Sequence, residues 1–264
     1  EVQEEGASVQ AWALTFHPHP ARVLAPDRAP LCIGDLSDRL RWLEAVGIAG
    51  TWVVPFDRDL ASLPPERFYR ELLAAGGARG LVVGHDFTFG RARAGDGALL
   101  GELGRPDGIR VEVVLPVRTE AGAIVSSTRI RRRIEAGDLG EARAMLGRDV
   151  ELAGEIRSGA GRGEGLGFAT ANLCPEGRVI PGSGVYAGWG RVEGEPRAYP
   201  AAINVGLAPT FGELREARIE AHLLGHTAGS LAGRRLRLAF LRRLRGERRF
   251  EGPEALSSQI QQDV

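Results

Sequence analysis

The residues best equipped for chemistry lie in residues 159–172, where the chain reads Gly-Ala-Gly-Arg-Gly-Glu-Gly-Leu-Gly-Phe-Ala-Thr-Ala-Asn. Gly159, Gly161, Gly163, Gly165 and Gly167 remove Cβ atoms from alternate positions, and Arg162 lies among them. A backbone so freed can take positive φ and turn successive N–H groups toward an anion such as phosphate. Thr170 and Asn172 follow with a hydroxyl and an amide oxygen, which suit a hard cation such as Mg2+ shared with substrate phosphates. On its own the segment reads equally well as a surface turn, since glycine-rich stretches are commonly only that. The sequence contains no lysine, which excludes the Gly-x-x-x-x-Gly-Lys-Ser/Thr loop and the protein-kinase site. Any phosphate would be held by backbone amides, arginine and metal.

Three other clusters carry chemical potential. Residues 15–20, Thr-Phe-His-Pro-His-Pro, follow an apolar run, where the prolines also serve simply to stop a strand. Residues 84–90, Gly-His-Asp-Phe-Thr-Phe-Gly, place Phe87 and Phe89 in a polar loop bounded by glycine, and a planar heterocycle could stack on them. Residues 126–131, Ser-Ser-Thr-Arg-Ile-Arg, open a helical pattern whose free N–H groups, with Arg129 or Arg131, could bind an anion; ordinary capping explains them as well.

The elements that must position these residues follow from periodicity. Residues 9–16, 50–54, 81–83 and 109–115 read as strands. Leu36, Leu40, Leu43 and Val46 recur at helical spacing and stop at Gly47, and Pro64-Pro65-Glu66 opens a second helix. Strand alternating with helix implies a parallel α/β sheet, whose ligands sit beyond the carboxyl ends of the strands, where residues 15–20 and 84–90 fall. Helices are expected from Ser126 to about Ala136 and over residues 139–146, ending at Gly147. Beyond that, β-type runs at 184–192, 198–205, 217–224 and 236–244 read as a β-barrel or sandwich, and Pro253 starts a last helix. The expected division is residues 1–148 and 149–264.

Composition bounds the function. The chain has 264 residues, 34 basic and 34 acidic, and 43% hydrophobic content, so no polyanion-binding surplus exists and a nucleic-acid partner is not expected. No apolar run approaches the roughly 18 residues of a membrane span. Cys32 and Cys174 match no metal spacing and are expected as free thiols in a reducing cytoplasm.

Taken together, Thr-Phe-x-Pro-His-Pro (15–20), Gly-x-Asp-Phe-x-Phe-Gly (84–90), Ser-Ser-Thr-x-Ile-Arg (126–131), Gly-Arg-Gly-x-x-Leu-Gly-Phe-x-Thr-Ala-Asn-Leu (161–173), Gly-Val-Tyr (184–186), Ile-Asn-Val-Gly-x-x-Pro-Thr-Phe (203–211) and Ile-Glu-x-His-Leu-Leu (219–224) resemble the prokaryotic bifunctional riboflavin kinase/FMN adenylyltransferase family, the FAD synthetases. The resemblance implies a nucleotidylyltransferase-like, Rossmann-like α/β domain that converts FMN to FAD, then a β-barrel riboflavin kinase domain with a C-terminal helix that makes FMN. It implies Mg2+ with ATP as co-substrate, riboflavin and FMN as the other small-molecule substrates, and a cytoplasmic location; self-association stays open. Thr170 and Asn172 would hold Mg2+-ATP, the loop with Gly159, Gly161, Arg162, Gly163 and Gly167 would cover the phosphates, and Glu220 would be the catalytic base. Ser127, Thr128 and Arg131 would take an ATP phosphate; Asp86, Phe87, Phe89 and Gly90 would hold FMN; Arg245 and Phe250 match the kinase stretch near the flavin, although Phe250 equally suits a core.

Three departures stand out. Ala169 replaces the family's proline before the Thr-Ala-Asn, which loosens the loop. His17 replaces the usual aspartate of Thr-Phe-Asp-Pro-His-Pro. The family's Gly-x-Phe-Asp-x-x-His-x-Gly-His segment does not occur in residues 1–264, so the expected α/β domain lacks its first βα unit and the histidines that bind ATP phosphates during adenylyl transfer. Each preorganised donor of that kind typically contributes about 10² to 10³ in rate. Residues 1–264 assayed alone are therefore expected to form FMN but almost no FAD, and robust FAD synthesis from FMN and ATP by this segment would overturn that expectation.

Overall fold

The computed structural model describes residues 9–157, 170–173, 175, 177–209, 215–227 and 231–246. Contacts divide the chain into two compact units, residues 1–30 with 36–124, and residues 31–35 with 125–264.

In the first unit β1 (Trp12–His17) leads through α1 (Pro20–Leu24) and α2 (Leu36–Ala45) to β2 (Gly50–Pro55), which lies parallel to β1 with Trp12 opposite Gly50 and His17 opposite Pro55. Then α3 (Arg58–Ser62) and α4 (Pro65–Phe68), the latter continuing as a π-type turn over Tyr69–Ala74, lead to β3 (Gly80–Gly84). A short antiparallel ribbon of β4 (Thr88–Phe89) and β5 (Gly95–Asp96) precedes α5 (Gly97–Gly104), and β6 (Arg110–Val114) returns parallel to β3. Asp57 and Asp96 cap α3 and α5, accepting from the amides of Leu60 at 2.7 Å and Leu99 at 2.9 Å. The expected strands and helices are present. The single expected sheet is instead two parallel pairs, β1–β2 and β3–β6. Alternate residues of each pair, Leu14, Phe16 and Val54 from one and Leu81, Val83 and Val111 from the other, enter a shared core, so burial joins the pairs where no hydrogen-bonded ladder does.

The second unit begins with α6 (Ser127–Ala136) and α7 (Leu139–Leu146), which end at Gly137 and Gly147 in the left-handed conformation. Six strands follow: β7 (Val150–Arg157), β8 (Thr170–Leu173), β9 (Gly184–Val192), β10 (Tyr199–Pro209), β11 (Arg215–Leu223) and β12 (Arg235–Arg245). They close an antiparallel barrel in the order β10-β11-β8-β7-β12-β9. The last four match the runs read from sequence. β7 and β8 were not anticipated; β8 is four residues long and has no pattern of its own, yet it is held by ladders to both β11 and β7. Close approach within the barrel depends on Gly188, where a Cβ would lie 2.2 Å from the Ala239 carbonyl oxygen.

Contacts divide the chain between residues 124 and 125, earlier than the expected 148, because α6 and α7 pack with the barrel: Ile130, Ile134, Leu139, Ala142 and Met145 join its core, and the Gly182 amide donates to the Ile134 carbonyl at 3.2 Å. Residues 31–35 join the same unit. The Cys32 amide donates to the Gly177 carbonyl, and buried Arg178 reaches Asp35 Oδ2 at 3.3 Å and the carbonyls of Ile33 and Glu151. Cys32 is a free thiol; Cys174 and the expected C-terminal helix lie outside the described residues.

At one end of the barrel Glu195 sits 2.5 Å from Arg234 Nη1 and 3.3 Å from His226 Nε2. Its carboxyl is held down to about 2, first by the Tyr199 hydroxyl and then by the Arg234 guanidinium and His226. A carboxylate depressed in the folded state stabilises it above the ordinary value of 4.5, and that contribution is lost as pH falls from there toward about 2. Glu195→Gln is expected to flatten this limb: the urea midpoint of the variant should change less than that of the parent between about pH 6 and pH 3. An equal loss in both proteins would show that Glu195 does not carry it.

Candidate functional site

Strand alternation builds the site on the outside of the barrel. Ile219 and Ala221 of β11, Ala171 and Leu173 of β8, and Ile203 and Val205 of β10 are all buried within the barrel core. The residues between them, Glu220, Asn172 and Asn204, therefore share the outward face. Glu220 stands directly opposite Asn172 on one side and Asn204 on the other. The same level continues to Arg157 of β7, opposite Asn172, and through Val185 of β9 to Arg245 of β12.

Glu220 is 35% exposed, and its Oε1 lies 3.2 Å from Nε of Arg218, two residues back on the same face. The Oδ1 of Asn172 is buried and has no hydrogen-bond partner among the described residues. Such an oxygen is costly unless a ligand completes it. A desolvated amide oxygen beside a carboxylate is a donor set for a hard cation and a base for a hydroxyl proton. Thr170 begins β8 opposite His222, one pleat from the Asn172–Glu220 pair. No group of three His, Cys, Asp or Glu side chains among the described residues is placed to hold a metal. Gly159, Gly161, Arg162, Gly163, Gly167 and Phe250 lie outside the described residues.

The other sequence candidates fall on separate elements. Ser126 caps α6, its Oγ accepting from the Arg129 amide at 3.3 Å, which leaves Ser127 and Thr128 exposed in the first turn. Arg131 Nε donates to the Leu31 carbonyl at 2.7 Å, so it binds residues 31–35 to α6. In the first unit Asp86 is exposed and Phe87 half-buried, but Phe89 is 4% exposed. Its ring centroid lies 5.6 Å from Phe87 in a stacked pair and 5.4 Å from Phe68. A Cβ on Gly95 would lie 2.7 Å from that ring, so the Gly95 backbone packs closely against Phe89. Phe89 is thus a member of the first unit's core, with Phe87 the accessible member of the pair. Gly90 keeps positive φ against Pro65 and serves the loop's shape. His19 Nδ1 accepts from the Ala21 amide and caps α1.

Sequence reading did not single out Arg39, which donates to Thr15 Oγ1 at 2.8 Å and to the Phe16 carbonyl, fastening α2 to the carboxyl end of β1. Nor did it single out Arg218 and Asn204. The signal for both was the alternation itself, polar residues spaced two apart between buried ones.

Parallel βα units present nucleotide sites at the ends of their strands, and a base beside cation-binding oxygen suits transfer of a phosphoryl group to a hydroxyl. The chain is of the class of ATP-dependent transferases. A family model described as riboflavin kinase matches residues 146–264, and one described as FAD synthetase matches residues 2–129. The bifunctional riboflavin kinase/FMN adenylyltransferase of Escherichia coli (strain K12) is 33% identical over 265 residues, which cover 99% of this chain and 83% of that protein. Its counterpart from Bacillus subtilis (strain 168) is 32% identical over 266 residues, covering 99% and 82%. A solved structure described as a macrolide-efflux protein from Streptococcus pneumoniae matches with a TM-score of 0.83 at 30% identity, over 97% of this chain and 82% of that one. The chain belongs to the bifunctional riboflavin kinase/FMN adenylyltransferase family, and is an enzyme of flavin cofactor synthesis. Among the described residues no helix is long and apolar enough to cross a membrane.

The placement of Phe89 separates packing from binding. Phe89→Ala is expected to destabilise the first unit by about 3–5 kcal/mol, the cost of emptying a buried aromatic site. Phe87→Ala should weaken FMN binding at smaller cost in stability. Equal stability of Phe89→Ala and the parent in urea would return Phe89 to the binding surface.

Proposed function

We propose that the barrel unit phosphorylates riboflavin to FMN with Mg2+-ATP, with Glu220 as general base, and that the first half of the chain serves the adenylylation of FMN to FAD. The observation that carries the kinase reading is the pairing of Glu220 with Asn172 on the barrel's outer face. The ionised Glu220 carboxylate takes the proton of a ribityl hydroxyl as its oxygen bonds to the γ-phosphorus of ATP. The bond from that phosphorus to the bridging oxygen breaks, and ADP leaves. Mg2+ would be held by Asn172, whose Oδ1 has no partner among the described residues, and by Thr170, and it would neutralise charge on the phosphates. Gly159, Gly161, Arg162, Gly163 and Gly167 would supply phosphate contacts, and Arg245 and Phe250 would face the flavin. For adenylyl transfer the resemblance assigns FMN to Asp86, Phe87, Phe89 and Gly90, and an ATP phosphate to Ser127, Thr128 and Arg131 at the start of α6, where Arg131 Nε donates to the Leu31 carbonyl. A cytoplasmic location is part of this reading.

FMN formation from riboflavin and ATP tests the reading. Glu220→Ala is expected to lower kcat by about 10² to 10⁴, the range for a positioned general base. Asn172→Ala should raise the ATP and Mg2+ requirement with a smaller effect on riboflavin KM. Undiminished turnover in Glu220→Ala would remove that residue from the mechanism, and unaltered ATP affinity in Asn172→Ala would remove the metal assignment.

A further inference from the structure

Asparagine is depleted in strands, yet Asn204 stands in the middle of β10 between Ile203 and Val205, both buried in the barrel. Its neighbours along the outward face, Ala202 and Gly206, carry no polar side-chain atom. Across the ladder to β9 it faces Val185, which is apolar and buried. Across the ladder to β11 it faces Glu220. Directly opposed residues of an antiparallel pair have Cβ atoms about 4.5–5.5 Å apart, close enough for an amide to reach a carboxylate. Glu220 is therefore the one directly opposed polar group that the Asn204 amide can address among the described residues.

We propose that Asn204 is a positioning residue for Glu220: in the substrate complex its side-chain N–H donates to one carboxylate oxygen and leaves the other for the substrate hydroxyl. The opposite side of Glu220 is occupied by Asn172, whose buried Oδ1 is an acceptor and whose amide is committed to the cation in the reading above. Arg218 Nε lies along the strand at 3.2 Å, and Asn204 stands across the β10–β11 ladder. An anchor along the strand alone leaves the carboxylate free to swing across the face, and a second one across the strands fixes both directions. Preorganisation of this kind acts on turnover more than on substrate affinity. The inference rests on the reading of Glu220 as base.

The test is steady-state riboflavin kinase assay of the full chain with Asn204→Ala, Asn204→Ser and Asn204→Asp, each alone and with Glu220→Ala. Asn204→Ala is expected to lower kcat about 10- to 100-fold with KM for ATP and riboflavin changed less than about threefold. Asn204→Ser, which keeps a donor, should recover part of the loss; Asn204→Asp, which places a like charge opposite Glu220, should not. In the Glu220→Ala background the substitution should cost little further, because residues that act as a unit are not additive. Turnover of Asn204→Ala within twofold of the parent, or a full additional loss without Glu220, overturns the proposal. Should Glu220→Ala itself leave turnover intact, the base assignment fails instead. Near-ultraviolet circular dichroism of each variant checks folding, and Asn204→Ser supplies the comparison if Asn204→Ala does not fold.

Discussion

The strict alternation of side chains across a closed barrel is the constraint from which the rest follows. Closure leaves no free edge, so every strand of the barrel must send one set of residues inward and the other out. With Ile203, Ile219, Ala171 and their neighbours committed to the interior, Asn204, Glu220 and Asn172 have no alternative to the outer face. Register then places them side by side without a dedicated loop. A one-residue slip of β11 would bury Glu220 and expose Ile219, a change that the apolar core resists strongly. The energy that holds the chemistry in place is thus ordinary hydrophobic burial on the other side of the same strands.

The barrel is in turn buttressed by parts of the chain that precede it. α6 and α7 add their apolar faces to its core, and Gly182 allows the closest contact, since a Cβ there would lie 2.6 Å from the Glu135 carbonyl oxygen. Residues 31–35 are tied in by Arg178, whose buried guanidinium meets Asp35 and two backbone carbonyls. Taking an arginine out of water is costly, and such a group is retained only where its donors are met. Its partners, the Asp35 carboxylate and the Ile33 and Glu151 carbonyls among them, offset that cost.

In the first unit aromatic packing plays the organising part. Phe16, Phe56, Phe68, Phe89 and Phe87 run edge to face and stacked through the core, with neighbouring centroids 5.4 to 6.3 Å apart. The motif that looks like a flavin-stacking loop spends one of its two phenylalanines on this chain of rings. Gly90 and Gly95 admit the loop so close to Pro65 and Phe89 that no side chain fits at either position. A loop anchored by its own buried ring presents Asp86 and Phe87 from a fixed base.

Strand and helix periods, the caps at Ser126 and Gly147, and the succession of α/β and β halves were all legible in the sequence, because each depends on neighbours a few residues apart. Glu220, Asn172 and Thr170 were singled out by the motifs that contain them, and the β8–β11 register sets Glu220 opposite Asn172. Three things were decided only by tertiary structure. Residues 150–157 and 170–173 became strands because a closing barrel supplied their partners, which their own short patterns could not. Phe89 became core because Phe68, 21 positions earlier, offers its ring a place out of water. Asn204 came to face Glu220 because the β10–β11 register sets residues 16 apart at one level, and register is a property of paired strands that neither strand carries alone.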